Sequence, residues 1–431
     1  MILTACQLAS LVFFAAAPET RAYVVVIGNN QSVESGVKAL RYADDDAARF
    51  YELLAPTAAR IELLTVMDAD TQRIHSKLPV LARAPSKENL AAVLKSFEAD
   101  LASDRAAGRE SVFSFVYIGH GHVGRAGQGY LSFLDGPLTS EDLWGQVVGK
   151  LNATYNHLII DACNSYLLVG SRGGAQVDDS GPDASEAIRA YGGQHSAARY
   201  PNTGVVVSTS SAAESHEWSV FQGGIFSQEV RSALAGAADV NADGRVEYSE
   251  LAAFLGAANL AIDDPRARVQ ASVQPPPLDH HRPLIDLAAS SYKHLLRLPK
   301  SFAGKYHLED ARGVRYVDGN KTGETDVYIA LANSPFYFVR TGETEARFVL
   351  PKSGTVDLRW LEFQPLARAA RGSVAEAYRD LLFQIPYGPG FYQGFIARNS
   401  SVTPVQRAER PFPPAALTPR AVDQPFKNPY R

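Results

Sequence analysis

The sequence predicts an α/β fold, in which a mainly parallel sheet carries helices on both faces, followed by a mostly-β second domain. Short, uniformly apolar runs such as residues 157–160 are typical of strands that are buried on both faces. Segments with helical apolar spacing lie between these runs, as in parallel sheets. After the prolines at 275–277, short strands with turn residues between them replace this alternation. The 431 residues are enough for two domains.

The elements of the first domain follow one another in a regular order. Its predicted strands are residues 23–27, 61–66, 111–119, 157–161 and 204–210. Its predicted helices are residues 40–54, 86–101, 139–151, 226–234 and 249–260. The helix at 40–54 has acids in its first turn, where the helix dipole favours them, and the helix at 86–101 begins at a capping serine, Ser86.

The domain boundaries follow from these patterns. We expect a leader at 1–22, an α/β domain at 23–262, a proline-containing linker at 263–290, a β-rich domain at 291–398 and a proline-rich tail at 399–431. The predicted strands of the β-rich domain are 313–317, 326–330, 336–340 and 355–360. A long loop at 170–202, rich in Gly, Ser, Asp and Ala, is expected to be either functional or disordered.

Composition excludes several classes of partner. A net charge of -4 gives no electrostatic reason to expect nucleic acid or an anionic membrane. The apolar run at 8–17 is too short to span a bilayer and resembles the core of a secretory signal, so we expect a periplasmic or secreted protein without a membrane span. The alternative is a buried or disordered leader on a cytoplasmic protein. The two cysteines are Cys6 and Cys163. Removal of the leader leaves one thiol, which is either reactive or a small buried apolar group.

Two strand ends carry residues that packing does not require. The strand at 111–119 is followed by His120 and Gly121, and the strand at 157–161 is followed by Cys163. Ligands bind beyond the carboxyl ends of parallel strands, so neighbouring strands would bring a thiol to an imidazole. The pattern predicts Cys163 as nucleophile and His120 as general base. The N–H groups of Gly121 and Cys163 are the predicted oxyanion hole.

These motifs resemble those of the bacterial caspase-like cysteine peptidases, relatives of the metacaspases. The matching residues are Tyr117 to Gly121, Asp161 to Ser165, Gly28 to Asn30 and Leu40 to Ala47. The resemblance covers residues 22–262 and implies a caspase-like sheet with a catalytic Cys–His dyad. One departure is Tyr166, which stands where the family usually has glycine and is expected to reshape the pocket.

The predicted substrates are proteins or peptides with basic residues. Residues two apart in a strand share a face, so Asp161 and Cys163 can face one cleft. In the metacaspase-like branch that the sequence resembles, positions matching Asp161 and Asp46 select Arg or Lys. Ser165 completes the predicted substrate-binding set. The alternative for Asp46 is an ordinary acid at a helix start.

Residues 239–250 fit the twelve-residue EF-hand loop, which favours Ca²⁺. The predicted metal-binding residues are Asp239, Asn241, Asp243, Arg245 and Glu250. The alternative is a loop that has lost the metal and is kept as a turn. No organic cofactor is expected. His122 forms a His-x-His pair with His120, but no third zinc ligand is evident nearby, so we expect a loop or substrate contact.

The sequence therefore predicts a cysteine endopeptidase that cleaves after Arg or Lys, with calcium dependence as a further expectation. Arg172, Arg189 and Arg199 make the long loop a candidate for self-processing, although loop arginines are commonly only solvated. The alternative function is a catalytically inactive caspase-like binding or adaptor module with a calcium-stabilised fold. In both cases the C-terminal domain is expected to bind a partner.

Overall fold

A computed structural model describes residues 19–124, 129–163, 168, 199–208, 217–218, 221–262, 268–366, 381–406 and 412. In chain order, the first strands are β1 (Thr20–Asn29), β2 (Arg60–Thr65), β3 (Glu110–Gly119), β4 (Gly121–Val123), β5 (Gly129–Phe133), β6 (Gly136–Thr139), β7 (Tyr155–Asp161), β8 (Thr203–Ser208), β9 (Glu217–Trp218), β10 (Gly223–Gly224) and β11 (Arg245–Glu247). The later strands are β12 (Ala271–Gln274), β13 (Pro283–Asp286), β14 (His294–Leu298), β15 (Gly304–Asp310), β16 (Arg315–Lys321), β17 (Val327–Leu331), β18 (Phe336–Thr341), β19 (Thr344–Val349), β20 (Gly354–Asp357) and β21 (Gln364–Pro365).

The α-helices are fewer and lie mainly in the first part of the chain. They are α1 (Ala43–Leu54), α2 (Ala69–Ile74), α3 (Lys87–Ala106), α4 (Gly149–Leu151), α5 (Ile225–Ser232), α6 (Tyr248–Asn259) and α7 (Pro389–Arg398). The described residues also contain two π-helical stretches, Asp142–Val148 and Ala233–Ala237, and two 3₁₀ turns, Ala55–Thr57 and Leu358–Trp360. Within those residues, none of the helices has the length and apolar character needed to cross a membrane.

The central sheet has the strand order β12-β8-β7-β3-β1-β2. Its strands are parallel, except for β12, which pairs antiparallel with β8 at the edge. The prediction of an α/β fold with a mainly parallel sheet is therefore confirmed.

The sheet is covered on both faces, as its strand sequences require. Alternate residues of a strand point to opposite faces. In β1, Tyr23, Val25 and Ile27 pack in one hydrophobic cluster with α3. Val24 and Val26 pack in the other cluster with α1, α5 and α6. The buried aromatic ring of Phe97 on α3 lies 5.6 Å from the ring of Tyr23, centroid to centroid. A strand with two buried faces has to be apolar throughout, which is why the strand predictions succeeded.

The C-terminal strands form two further sheets, β17-β14-β20 and β16-β15-β18-β19-β21. They share a hydrophobic cluster with the central sheet, since Leu296, Val317 and Ile329 belong to the same cluster as Val24. At Gly236, where φ is +114°, an added Cβ would lie 2.2 Å from the main-chain oxygen of Tyr328. The β-rich part therefore packs directly on the helices of the α/β part.

Several predicted boundaries differ from the structure. The predicted linker at 263–290 contains β12, an edge strand of the central sheet, and β13. A four-residue strand followed by prolines is too short to show periodicity, which explains the error. The predicted helix at 139–151 is a π-helical stretch followed by α4. The predicted strand at 355–360 ends at Asp357 and continues as a 3₁₀ turn.

The predicted β-rich domain and tail also contain features that the sequence did not reveal. Helix α7 lies inside the predicted β-rich domain and packs on α6, where the hydroxyls of Tyr392 and Ser249 are 2.9 Å apart. In the predicted tail, the buried Phe412 donates its N–H to the Ala242 oxygen (3.0 Å). Most of the tail and of the leader lies outside the described residues.

Candidate active site

The strands that precede His120 and Cys163 are neighbours in the central sheet. In the parallel pair β3–β7, Ile118 lies opposite Asp161. In the parallel pair β1–β3, Gly119 lies opposite Asn29. Each strand therefore ends at the same edge of the sheet, and the next residues, His120 and Cys163, follow at that edge. This is the edge at which parallel sheets bind ligands.

The main chains that follow the two strands are in close contact. A Cβ added to Gly121 would lie 2.1 Å from the carbonyl oxygen of Cys163 and 3.1 Å from the Cβ of Ala162. Only glycine fits at this approach. Gly121 thus lies beside the main chain of Cys163, as an oxyanion hole shared by the two residues requires. The direction of their N–H groups relative to a substrate stays a prediction.

Hydrogen bonds fix the main chain of His120. Its carbonyl oxygen accepts from the hydroxyl of Tyr117 (3.0 Å) and from the N–H of Ser132 (3.0 Å). The carbonyl of Ser132 in turn accepts from Tyr117 and from the side-chain amide of Asn29. Burial raises the pKa of the Tyr117 phenol, which keeps it a donor. The main chain of His120 is therefore held by Tyr117 of the preceding strand, β3, and by Ser132 of β5.

The pKa shifts of His120 and Cys163 both favour the neutral forms of their side chains. Burial, with the nearby His122, lowers the pKa of His120, while the main-chain oxygens of Asn30 and Lys38 oppose that change. Burial, with the charge of Asp161, raises the pKa of the Cys163 thiol. The Nε2 atom of His120 is buried and has no hydrogen-bond partner among the described residues. It is therefore free to accept a proton.

His122 has a different environment. Its Nε2 lies 2.8 Å from the Oγ of Ser32, and its ring lies between those of His120 and Tyr130, at 5.8 and 5.5 Å. Among the residues that the structure describes, no group of three or more His, Cys, Asp or Glu side chains is placed to hold a metal ion. His122 thus contacts the loop at Ser32, in keeping with the expected loop contact.

Acidic side chains gather beside Cys163 around the glycine pair of β10. Asp161 accepts a hydrogen bond from the hydroxyl of Ser227 (2.6 Å). A Cβ added to Gly224 would lie 2.9 Å from Asp161 Oδ2 and 3.4 Å from Asp46 Oδ2. Burial, together with the charges of Asp46 and Glu217, raises the pKa of Asp161 to about 7, although the hydrogen bond from Ser227 opposes this rise. The structure therefore brings the two predicted substrate-binding carboxylates together.

Asp46 lies deeper than a residue that contacts substrate directly. It is 1% exposed and accepts the N–H of Gly224 at 2.6 Å. Its Oδ1 lies 3.1 Å from Arg231 and 3.6 Å from Arg49. Because two buried arginines offset its charge, Asp46 supports the acidic cluster from behind. Asp161 is half-buried, so it is the more exposed of the two carboxylates.

Sequence reasoning missed three residues of this cluster. Glu217 accepts the N–H groups of Arg41 and Tyr42 at the start of α1, at 2.9 Å each. Ser227 binds Asp161 and Arg231 binds Asp46, both from α5. Their positions depend on the β9–β10 turn. The only feature of the sequence that could have indicated this turn is the pair of adjacent glycines at 223–224.

The EF-hand-like loop folds around its acidic side chains. Asp239 accepts the N–H groups of Asp243 (3.2 Å) and Gly244 (2.9 Å). Glu250 accepts those of Val240 and Glu247, at 2.9 Å each. Burial and the charges of Asp239 and Asp243 raise the pKa of Glu250 well above its usual range.

The other predicted members of the loop lie on its rim. Asn241 donates to Asp243 and to the main chain of Gln406, and Arg245 pairs with Asp286. Carboxylate and amide oxygens are ligand atoms that suit calcium. In the structure, however, the carboxylate oxygens of Asp239 and Glu250 accept hydrogen bonds from main-chain N–H groups. The calcium site therefore stays a prediction.

Some predicted residues fall outside the described part of the chain. These residues are Ser165, Tyr166, Arg172 and Arg189. Arg199 is described, and its guanidinium lies over the ring of Tyr200 at 5.7 Å.

Comparisons with known proteins give structural neighbours only. No family model matches the sequence. No curated protein matches it either. A crystal structure of caspase-1 from Spodoptera frugiperda is similar, with 12% identity and a TM-score of 0.34 over 63% of this chain and 94% of that chain. A structure of pro-sf-caspase-1 has 14% identity and a TM-score of 0.33 over 62% and 92%.

Both neighbours are structures of caspase-1. The fold class therefore rests on the strand order and the two covered faces of the sheet itself.

The raised pKa of Asp161 predicts a pH dependence of stability. The folded protein holds a proton on this carboxyl up to a pH of about 7, whereas the unfolded chain releases it near pH 4. The folded state thus binds more protons between these values, so Asp161 lowers stability as the pH rises from about 4 to about 7. Asp161→Asn is expected to reduce this fall, measured as denaturation midpoints from pH 5 to 8.

The control for this measurement is Asp70→Asn, which changes an exposed aspartate on α2. It should leave the slope of stability against pH as in the wild type. A slope that is the same in Asp161→Asn and in the wild type would contradict the assignment.

Proposed function

We propose that this chain is a caspase-like cysteine endopeptidase that cleaves after Arg or Lys. The observation that carries the proposal is the meeting of two strand ends, where Gly121, which directly follows His120, packs against the main chain of Cys163. A thiol nucleophile needs a base that can take its proton. His120 is fixed through its main chain, and its Nε2 has no hydrogen-bond partner among the described residues.

The neutral resting dyad defines the order of proton transfers. With the thiol and imidazole both uncharged, the Cys163 proton passes to His120 as sulfur attacks the scissile carbonyl carbon. The oxyanion that forms is stabilised by main-chain N–H groups, for which Gly121 and Cys163 are the candidates. His120 then returns the proton to the leaving amine, and a thioester remains. Water, deprotonated by His120, hydrolyses the thioester and regenerates the thiol.

The acidic cluster supports the preference for basic residues. A substrate guanidinium or ammonium group beside Asp161 would find a carboxylate at the cleft, with the charges of Asp46 and Glu217 nearby. Binding of a cation there favours the ionised form of Asp161, which burial otherwise disfavours. The same preference would make the arginines of the loop at 170–202 sites of self-processing.

The dyad predicts a clear pattern of variant activities on an arginyl peptide reporter. Cys163→Ala should abolish cleavage, because no nucleophile remains. His120→Ala should lower kcat by about 10²- to 10⁴-fold, the usual contribution of a general base. His122→Asn is the matched control, because this histidine contacts Ser32 on the loop, and it should keep most of the activity.

Circular dichroism of each variant would check that the fold is kept. Cleavage by folded Cys163→Ala, or equal losses in the two histidine variants, would overturn the assignment of the dyad.

A binding module without catalysis is the second candidate function. The observation that favours it is the raised pKa of the Cys163 thiol, together with the absence of a hydrogen bond between this thiol and the described His120 ring. In that case the cleft holds a basic peptide without cutting it, and the C-terminal strands recruit a partner. Binding of an arginyl peptide to wild-type protein with no cleavage would favour this candidate.

We further propose that the loop at 239–250 binds calcium. As the loop is folded here, Asp239, Asp243 and Glu250 are not grouped to hold an ion, so calcium binding would require their side chains to turn away from the main-chain N–H groups. Besides burial, the charge of Asp243 raises the pKa of Asp239, and the charges of both raise that of Glu250, an unfavourable interaction that a divalent cation would relieve. Asn241 and the main-chain carbonyl of Arg245 would supply the remaining oxygens from the protein. The bound ion would fix the start of α6, whose capping box includes Glu250.

Calcium is therefore expected to raise the midpoint of thermal unfolding relative to a chelator, because it binds only the folded loop. Asp243→Asn keeps the side-chain shape but removes one charge, so it should weaken calcium binding by calorimetry about tenfold or more. The control, Asp286→Asn, changes a neighbouring acid outside the loop. Identical midpoints with calcium and with chelator would contradict the proposal.

A further inference from the structure

Helix α5 lies between the acidic cluster and the β-rich part of the chain. On one side of the helix, Ser227 donates a hydrogen bond to Asp161, and Arg231 donates one to Asp46. On the other side, the helix packs against strand β16 of the β-rich part. One helix therefore contacts both predicted substrate-binding carboxylates and a strand from the C-terminal part of the chain.

A continuous chain of hydrogen bonds crosses this helix. The Nη2 of Arg231 donates to Asp46 Oδ1 at 3.1 Å and to Gln228 Oε1 at 2.7 Å. The Nε2 of Gln228 donates in turn to Asp318 Oδ2 at 2.7 Å. Asp318 also accepts from the Nε of Arg315, at 2.9 and 3.0 Å to its two oxygens. The chain therefore runs from Asp46 to two residues of β16.

The side-chain amide of Gln228 has only one orientation that satisfies its neighbours. Gln228 and Asp318 are both buried, with exposed fractions of 0% and 3%. A buried amide needs a donor at its oxygen and an acceptor at its nitrogen. The carboxylate of Asp318 can only accept, so it takes the NH₂ group of Gln228. The oxygen of Gln228 is then directed to Arg231.

Arg231 is the cation that binds Asp46 most closely. Its Nη2 lies within hydrogen-bond distance of Asp46, whereas the Nη1 of Arg49 is 3.6 Å away. The same Nη2 contacts Gln228, so one of its two hydrogens points to Gln228 and the other to Asp46. The direction of the guanidinium group towards Asp46 therefore depends on Gln228.

Asp46 passes this constraint on to the main chain beside Asp161. Its Oδ2 accepts the N–H of Gly224 at 2.6 Å, and a Cβ added to Gly224 would lie 2.9 Å from Asp161 Oδ2. Strand β10 is thus held directly against Asp161, the more exposed of the two carboxylates. A shift of Arg231 would shift Asp46, and with it the main chain next to Asp161.

We propose that Asp318, a residue of the β-rich part, is a positioning residue for the binding of basic substrate side chains, and that it acts through Gln228 and Arg231. Asp318 itself does not touch the substrate. This inference rests on the proposed preference for Arg or Lys. It gives the C-terminal strands a part in substrate recognition, because a carboxylate of β16 fixes the side chains that hold Asp46 in place.

The test measures the binding of an arginyl peptide and of its uncharged citrullyl counterpart by calorimetry. The full chain carries Cys163→Ala, so that neither peptide is cleaved. Gln228→Met keeps the length of the side chain but removes its strong donor and acceptor, so Arg231 loses its partner on the side of Asp318. The affinity for the arginyl peptide should fall about tenfold, while the citrullyl peptide should bind as before.

Two further variants show whether the residues act in series. Asp318→Ala should have the same effect as Gln228→Met, because the amide of Gln228 then lacks its acceptor. The double variant should bind the arginyl peptide no more weakly than Gln228→Met alone. Asn320→Ala is the matched control: Asn320 also lies on β16 but donates to the main chain of Phe383 and Gln384. Its loss should lower the midpoint of thermal unfolding and leave both affinities unchanged.

Equal losses of affinity for the two peptides, additive effects of the two substitutions, or a selective loss of arginyl binding in Asn320→Ala would overturn the proposal. So would a parent chain that binds both peptides equally. If Asp318→Ala does not fold, the ratio of the two affinities in Gln228→Met decides. A wild-type chain that shows these variant effects on binding but cleaves neither peptide would contradict the peptidase function and still support this inference.

Discussion

The contact between the main chains that follow β3 and β7 is the constraint on which the site depends. Parallel pairing of these strands brings Gly121 so close to the carbonyl of Cys163 that no side chain fits there. This contact is possible only because both strands are buried in the sheet and end in register. The hydrogen bonds of Tyr117 and Ser132 to His120 then fix the base with respect to that contact. The chemistry proposed for His120 and Cys163 therefore depends on backbone packing.

A second constraint is the neutralisation of buried charge behind the cleft. Asp46 is held between Arg49 and Arg231, and its other oxygen accepts the N–H of Gly224. Burial raises the pKa of the Asp46 carboxyl, and the two arginines and the N–H of Gly224 oppose that rise. The network thus lowers the cost of placing Asp46 next to Asp161. Because the arginines also face the β-rich part, the same charges connect the cleft to the packing of the C-terminal strands.

Much of the first domain could be predicted, because each buried strand of the sheet is apolar on both faces. The positions of His120 and Cys163 at strand ends follow from the same pattern. The edge strand β12 could not be found, since four residues before a run of prolines show no periodicity. Glu217 and Arg231 could not be assigned either. Their contacts with α1 come from β9 and α5, far away in sequence, and only the folded chain brings them together.

The burial of Asp46 was also beyond sequence reasoning. Three consecutive acids begin α1, and a helix start favours each of them equally. Their environments differ in the folded protein: Asp44 accepts from Asn30, whereas Asp46 pairs with arginines. Side-chain direction along the helix, which depends on what packs against each face, decides which acid lies behind the cleft.

The most direct test of the account is affinity labelling of the purified protein with an arginyl chloromethylketone, followed by mass mapping of the modified residue. An aspartyl chloromethylketone of the same length is the control. The account predicts that the arginyl probe modifies Cys163 and that the aspartyl probe does not, because the proposed nucleophile lies next to the carboxyl of Asp161. Absence of label on Cys163, or equal labelling by both probes, would contradict it.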